Sequence, residues 1–178
     1  MFFREQVKKK AITFSYDDGV VQDIRLIELL NKYGLKCTFN LNSELLSKKG
    51  MLIREGKRIA HYKIHTEDVK HIYEGHEVAV HTLTHPNLTQ CDDKEIIRQV
   101  EADRLNLSEL VEYEVVGMAY PCGGVNNDDR VAEIIKKLVQ NPRFSEVMKT
   151  KINTKVDTAE AERELENARK MLRQAEGV

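Results

Sequence analysis

Three short clusters carry side chains able to do hydrolytic chemistry: Asp17-Asp18-Gly19, the stretch HTLTH from His81 to His85, and Pro121-Cys122-Gly123-Gly124. Two imidazoles and one carboxylate fill three positions of a tetrahedral zinc and leave the fourth open, the arrangement of hydrolytic rather than structural zinc sites. A water held at such an ion has a pKa of about 7. Its attack needs a base, and a second carboxylate next to the ligand supplies one, since only one of two adjacent aspartates can point straight at the ion. The charge of the ion keeps both carboxyls ionised, which suits a base better than an acid. Gly123 and Gly124 let backbone amides approach a developing oxyanion, so the loop, with the amides of Cys122 and Gly123, reads as an oxyanion-stabilising element. A Cys122 nucleophile would call for a Cys-His-Asn order that the sequence lacks, so its sulfur is expected to be structural.

Each cluster must sit at the end of a strand for these roles to converge. Residues 11–16 (AITFSY) favour a strand that stops at the turn signal Asp17-Asp18-Gly19. Ile24, Leu26, Ile27, Leu29 and Leu30 then recur at helical spacing, with Gly34 expected as the C-cap. Residues 37–41 predict a second strand, and residues 50–64 a less regular helix end with a hairpin-like excursion. Thr66 is expected to cap a short helix that ends at Gly75. Residues 77–81 predict a third strand, and Pro86 forbids a helix through HTLTHPNL, which leaves His81 and His85 at a strand end and in the loop beyond it. A long amphipathic helix is expected from residue 93 to about 113, a fourth strand over 115–120, and a helix from about 128 to 137 capped by the Asn126 to Asp129 run. Strands alternating with helices predict a parallel sheet or barrel, whose functional residues gather at the C-terminal strand ends. His61, His65, His71 and His76 match no such position and are expected to be structural or surface residues.

TFSYDDG, HTLTH and AYPCGG, in this order, resemble the first three motifs of the NodB-type polysaccharide deacetylases, carbohydrate esterase family four. The resemblance spans residues from about 9 to 137 and implies an α/β fold, an incomplete or distorted (β/α) barrel, here with an extra C-terminal helix. It divides the chain into a deacetylase-like domain over residues 1–137 and a divergent segment over 138–178. By matching position it implies Asp17 as the catalytic base and Asp18, His81 and His85 as ligands of a divalent metal, zinc first, with cobalt or another divalent ion as alternatives. Thr82 would orient the loop. The implied activity is hydrolytic removal of N-acetyl groups from an amino-sugar polymer or oligosaccharide. Ala119 and Cys122 depart from the arginine and the aromatic residue of many members, although other members share an aliphatic-Tyr-Pro version. The family's late leucine-x-histidine, source of its general acid, has no counterpart, because no histidine follows His85. Loss of such a group slows proton transfer by about 10²- to 10⁴-fold. The alternatives are therefore a catalytically weakened metal- and carbohydrate-binding module, or a hydrolase of a small amide or ester.

Composition bounds the partners. The 178 residues suffice for one domain with a core, and 28 Lys plus Arg against 29 Asp plus Glu give no basic footprint for nucleic acid or an anionic membrane. Cys37, Cys91 and Cys122 form no CxxC pair, which predicts neither a disulfide framework nor a cysteine zinc site, and a reducing compartment fits. No stretch approaches the roughly 20 apolar residues of a spanning helix, and the N-terminal stretch lacks a signal-peptide pattern, so a soluble, cytoplasmic chain is expected. Asp157 and Glu160 form a capping box for a helix whose Ala161, Leu165, Ala168, Leu172 and Ala175 make a narrow apolar seam. Such a helix could pack on the domain or join a second copy in a homo-oligomer.

Overall fold

The computed structural model describes residues 12–139. The chain divides into residues 1–134 and 135–178, and the architecture below belongs to the first unit, apart from the last residues of the helix over 129–139. Three parallel strands form its sheet, in the order β1 (Ser15–Asp17), β2 (Thr38–Leu41), β5 (Glu77–Val80). Ser15 pairs with Thr38 and Asp17 with Asn40, while Leu41 pairs with Val80, so all three strands end along one edge. β2 lies between its neighbours, and Phe39 and Leu41 on one face and Asn40 on the other are all buried, as expected of a parallel strand covered on both faces.

Helix α1 (Asp23–Lys32) connects β1 to β2 and buries Ile27 and Leu30. It ends as the glycine predicts. Gly34 takes a φ of 64°, the Leu35 amide donates to the Leu30 carbonyl at 2.9 Å and the Gly34 amide to Asn31 at 3.1 Å, a Schellman motif. Helix α3 (Asp93–Val111) starts where the Asp92 carboxylate accepts from the Glu95 amide at 2.8 Å and stops at Glu112, whose φ is 61°. Ile96, Val100, Leu107 and Val111 form its buried stripe. Helix α4 (Asp129–Val139) is capped by Asp128, whose carboxylate accepts from the Val131 amide at 2.8 Å.

Three expectations are corrected. Residues 50–64 hold no helix end: β3 (Lys49–Arg54) and β4 (Lys57–Tyr62) form a full antiparallel hairpin. Its turn residues Glu55 and Gly56 both have positive φ, 50° and 73°, the requirement of a type I′ turn. Thr66 caps nothing with its side chain; its hydroxyl lies 3.1 Å from the Ser47 hydroxyl, and a 3₁₀ turn, Thr66–Asp68, leads into the short α2 (Val69–Ile72). Residues 115–120 add one parallel bridge, Val80 with Met118, instead of a strand. The Val115 amide is drawn to the Ser108 hydroxyl at 3.0 Å and Pro121 has no amide to offer, so pairing has room only around Gly117 and Ala119.

The fold is therefore mixed α/β with an open sheet and no closed barrel among the described residues, the incomplete barrel that the sequence predicts. The seam helix and nearly all of the divergent segment lie outside the described residues. No helix among the described residues is long and apolar enough to cross a membrane.

Candidate metal centre

Asp17 is the last residue of β1, and Asp18 turns out of the sheet with a φ of 84°. His81 follows β5 directly, and His85 ends the HTLTH loop. One ligand atom from each of Asp18, His81 and His85 can be chosen so that all lie within 4.8 Å of one another. His85 Nε2 is 3.6 Å from Asp18 Oδ1, and the two imidazole rings stand edge to face with centroids 5.0 Å apart. The structure thus brings together the three side chains expected as ligands.

Their protonation suits a cation. Burial acts to raise the Asp18 carboxyl, but the Lys63 ammonium and then the His85 and His61 imidazoles outweigh it and hold the group below its ordinary value. Burial holds His81 below the usual imidazole range, against the opposing pull of the Ala119 carbonyl and of Asp17. An ionised carboxylate and a neutral imidazole are the forms that ligate. His81 Nδ1 lies 3.0 Å from the Ala119 carbonyl, so the proton belongs on Nδ1 and Nε2 is left to ligate. The donor set, its protonation and this outer bond all fit a divalent metal of the zinc class.

Much of the site's support comes from residues that motif reading passes over. Asn40, buried in β2, donates from Nδ2 to Asp17 Oδ1 at 2.7 Å and to Ser15 Oγ at 2.8 Å. Asn42 donates to the Thr82 carbonyl at 2.9 Å. Gln99 on α3 accepts from the Thr84 amide at 3.0 Å and donates to the Thr84 hydroxyl at 2.8 Å. The HTLTH loop is thus held by the residue that follows β2 and by α3, and Thr82 takes part through its carbonyl. His61, expected to be a structural or surface residue, sits with Nε2 3.5 Å from Asp18 Oδ2, and Lys63 Nζ is 3.3 Å from Asp18 Oδ1. The alternation of strand β4 was the available signal, since positions 61 and 63 share a face.

Cys122 lies against the site: its Sγ is 3.7 Å from His85 Nδ1 and 3.6 Å from the His85 carbonyl. Gly123 beside it is exposed, with open space where a Cβ would stand. Gly124 uses the freedom of glycine, with a φ of 74°. Of seven non-glycine residues at positive φ among the described residues, four are Asp18, Thr82, His85 and Cys122. Such conformations cost on the order of 1–3 kcal/mol each and persist where surrounding structure imposes them, typically at functional sites.

Asp103 on α3 is fully buried and accepts from the Ser43 amide at 2.7 Å and the His81 amide at 3.2 Å. Burial pushes its carboxyl up from 3.8 to about 7, against those hydrogen bonds. A carboxyl that holds its proton more tightly when folded stabilises most below its unfolded pKa, and that contribution is lost as pH rises to the folded value. Chelator-treated protein should therefore lose stability between pH 4 and 7 through this group, and Asp103→Asn should show a shallower slope over that window in urea unfolding, whatever its absolute stability. An unchanged slope would remove Asp103 as the source.

The polysaccharide deacetylase family model matches residues 4–141. The peptidoglycan-N-acetylglucosamine deacetylase PgdA of Listeria monocytogenes is 27% identical over 129 residues, covering 71% of this chain and 24% of the relative. A chitooligosaccharide deacetylase of Sinorhizobium fredii is 27% identical over 121 residues, 66% of this chain and 49% of the relative. The chain thus spans from about a quarter to about half of the length of these relatives. Among solved structures, the Streptococcus pyogenes deacetylase PplD in complex with acetate has a TM-score of 0.60 at 21% identity, over 73% of this chain and 53% of that one. With most of its length matched, including all three motif loops, the chain belongs to the polysaccharide deacetylase family.

Proposed function

We propose that this chain is a divalent-metal-dependent hydrolase that removes N-acetyl groups from an amino-sugar polymer or oligosaccharide. The observation that carries the proposal is the convergence of one ligand atom each from Asp18, His81 and His85 within 4.8 Å of one another, with Asp17 next in the chain. The relatives named for deacetylation of peptidoglycan N-acetylglucosamine and of chitooligosaccharide support the substrate class.

Asp18, His81 and His85 would hold the ion, with zinc the best match to two imidazoles and one carboxylate. When bound, the ion polarises the acetyl carbonyl and lowers the pKa of water, to about 7 in hydrolytic zinc sites. Asp17, exposed and held by Asn40, takes the proton of the attacking water on its carboxylate. The Cys122 or Gly123 amide donates to the oxyanion that forms at the acetyl carbonyl oxygen, and its collapse breaks the C–N bond, releasing acetate and the sugar amine, which takes up a proton. Asn40→Ala should leave zinc binding intact and slow acetate release by about 10- to 100-fold, the usual cost of losing an orienting partner. A rate equal to wild type would show that Asp17 needs no such support.

One observation favours a second reading. Asp18, His81 and His85 are all committed to the ion and Asp17 to the attacking water, so the residues gathered here hold a metal without assigning an acid to the leaving amine, as would suit a metal- and carbohydrate-binding module that turns over weakly. Acetate release from acetylated chito-oligosaccharides, with zinc or cobalt added, separates the two. Robust turnover excludes the module, and zinc binding without acetate release excludes the deacetylase.

A further inference from the structure

We propose that Lys63 is a positioning residue that locks Asp18 in its ligating conformation; this rests on the reading of Asp18 as a metal ligand. Asp18 and Gly19 both have positive φ, 84° and 60°, so the chain leaves β1 through two successive left-handed residues, the first of which bears a side chain. The segment that follows β4 runs antiparallel to this turn. Val20 bridges Lys63, the Val21 amide donates to the Tyr62 carbonyl at 2.9 Å, and the Ile64 amide donates to the Gly19 carbonyl at 2.9 Å. From this splint Lys63 Nζ reaches the Asp18 carbonyl at 2.6 Å and comes within 3.3 Å of Asp18 Oδ1. A single ammonium holds both the backbone and the carboxylate of one residue.

Packing alone does not call for a cation here. The Lys63 side chain is only 7% exposed, and burial disfavours its charge, so an apolar residue of similar length would fill the space at less cost. The charge makes sense as a tether, because hydrogen bonds from an ionised donor are roughly twice as strong as neutral ones. An ammonium also repels an incoming cation. The carboxylates of Asp18 and Asp23 act on the same ammonium and reduce that repulsion. The hairpin is thereby part of the centre, although neither of its strands belongs to the parallel sheet.

The test uses the full chain as wild type, Lys63→Met and Lys63→Arg, with zinc affinity measured by competition against a chelator and amide exchange measured on the metal-free proteins. Lys63→Met should bind zinc about 10- to 100-fold more weakly, as for other lost outer partners. The Gly19 to Val21 amides should exchange roughly 10-fold faster while those of Phe39 and Val78 stay unchanged, a local rather than global opening. Zinc bound as tightly as by wild type, or more tightly, would overturn the proposal. If Lys63→Met does not fold, Lys63→Arg, which keeps the charge and its donors, decides: affinity within about threefold of wild type supports the tether, and a loss of about tenfold or more overturns it. If wild type takes up no zinc, the reading of Asp18 as a ligand fails on its own. Lys63 is then judged by exchange in metal-free protein, where unchanged rates at Gly19 to Val21 overturn its holding role.

Discussion

Asp17→Asn should bind zinc with wild-type affinity and release acetate about 10²- to 10⁴-fold more slowly. The substitution preserves shape, and the new amide oxygen still accepts from Asn40, whose Nδ2 stands 2.7 Å from Asp17 Oδ1. Basicity is removed together with one negative charge, which lies on an exposed side chain outside the ligand set. Because Asp17 precedes Asp18 and is itself exposed, neither the ligand set nor the buried core is disturbed. Chelator competition reads the first half of the expectation and acetate release from an acetylated chito-oligosaccharide the second. Equal activity in the variant would take the role of base away from Asp17.

Asp18→Ala and His81→Ala should each weaken zinc binding by more than about 100-fold, since even outer partners of a ligand are worth 10- to 100-fold. His81 is 2% exposed, so its removal also leaves a cavity and lowers stability for reasons unrelated to metal. The fair comparison is therefore the shift on adding zinc within each protein. At a zinc concentration 100 times its Kd, wild type should gain about 2.7 kcal/mol of stability, and the variants almost none. A variant that keeps the full zinc-induced shift would show that its missing side chain is not a ligand.

What the sequence discloses follows the physics of its signals. Asp18 and His85 are legible because each stands beside a conformational marker, Gly19 or Pro86, and His81 because it directly follows a short apolar strand. The C-cap at Gly34 and the caps at Asp92 and Asp128 are legible because they depend on one or two local bonds. The expected strand over 115–120 shrinks to one bridge with Val80, because the Val115 amide is taken by Ser108, a partner on α3 that no local pattern names. The outer support of the site is least legible. Asn40, Gln99 and Lys63 reach the motif loops across separations of 23, 15 and 45 residues, and each looks like an ordinary polar residue in its own segment. His61 shows the same limit, since its neighbour in space, Asp18, lies on the other side of two strands and a helix in sequence.

Zinc titration of the chelator-stripped full chain tests the metal centre most directly, with zinc content per chain measured after removal of the excess. One equivalent per chain in wild type, absent in a variant carrying both Asp18→Ala and His81→Ala, is the predicted result. A wild-type chain that retains no zinc, or a double variant that retains a full equivalent, would contradict a metal centre at Asp18, His81 and His85.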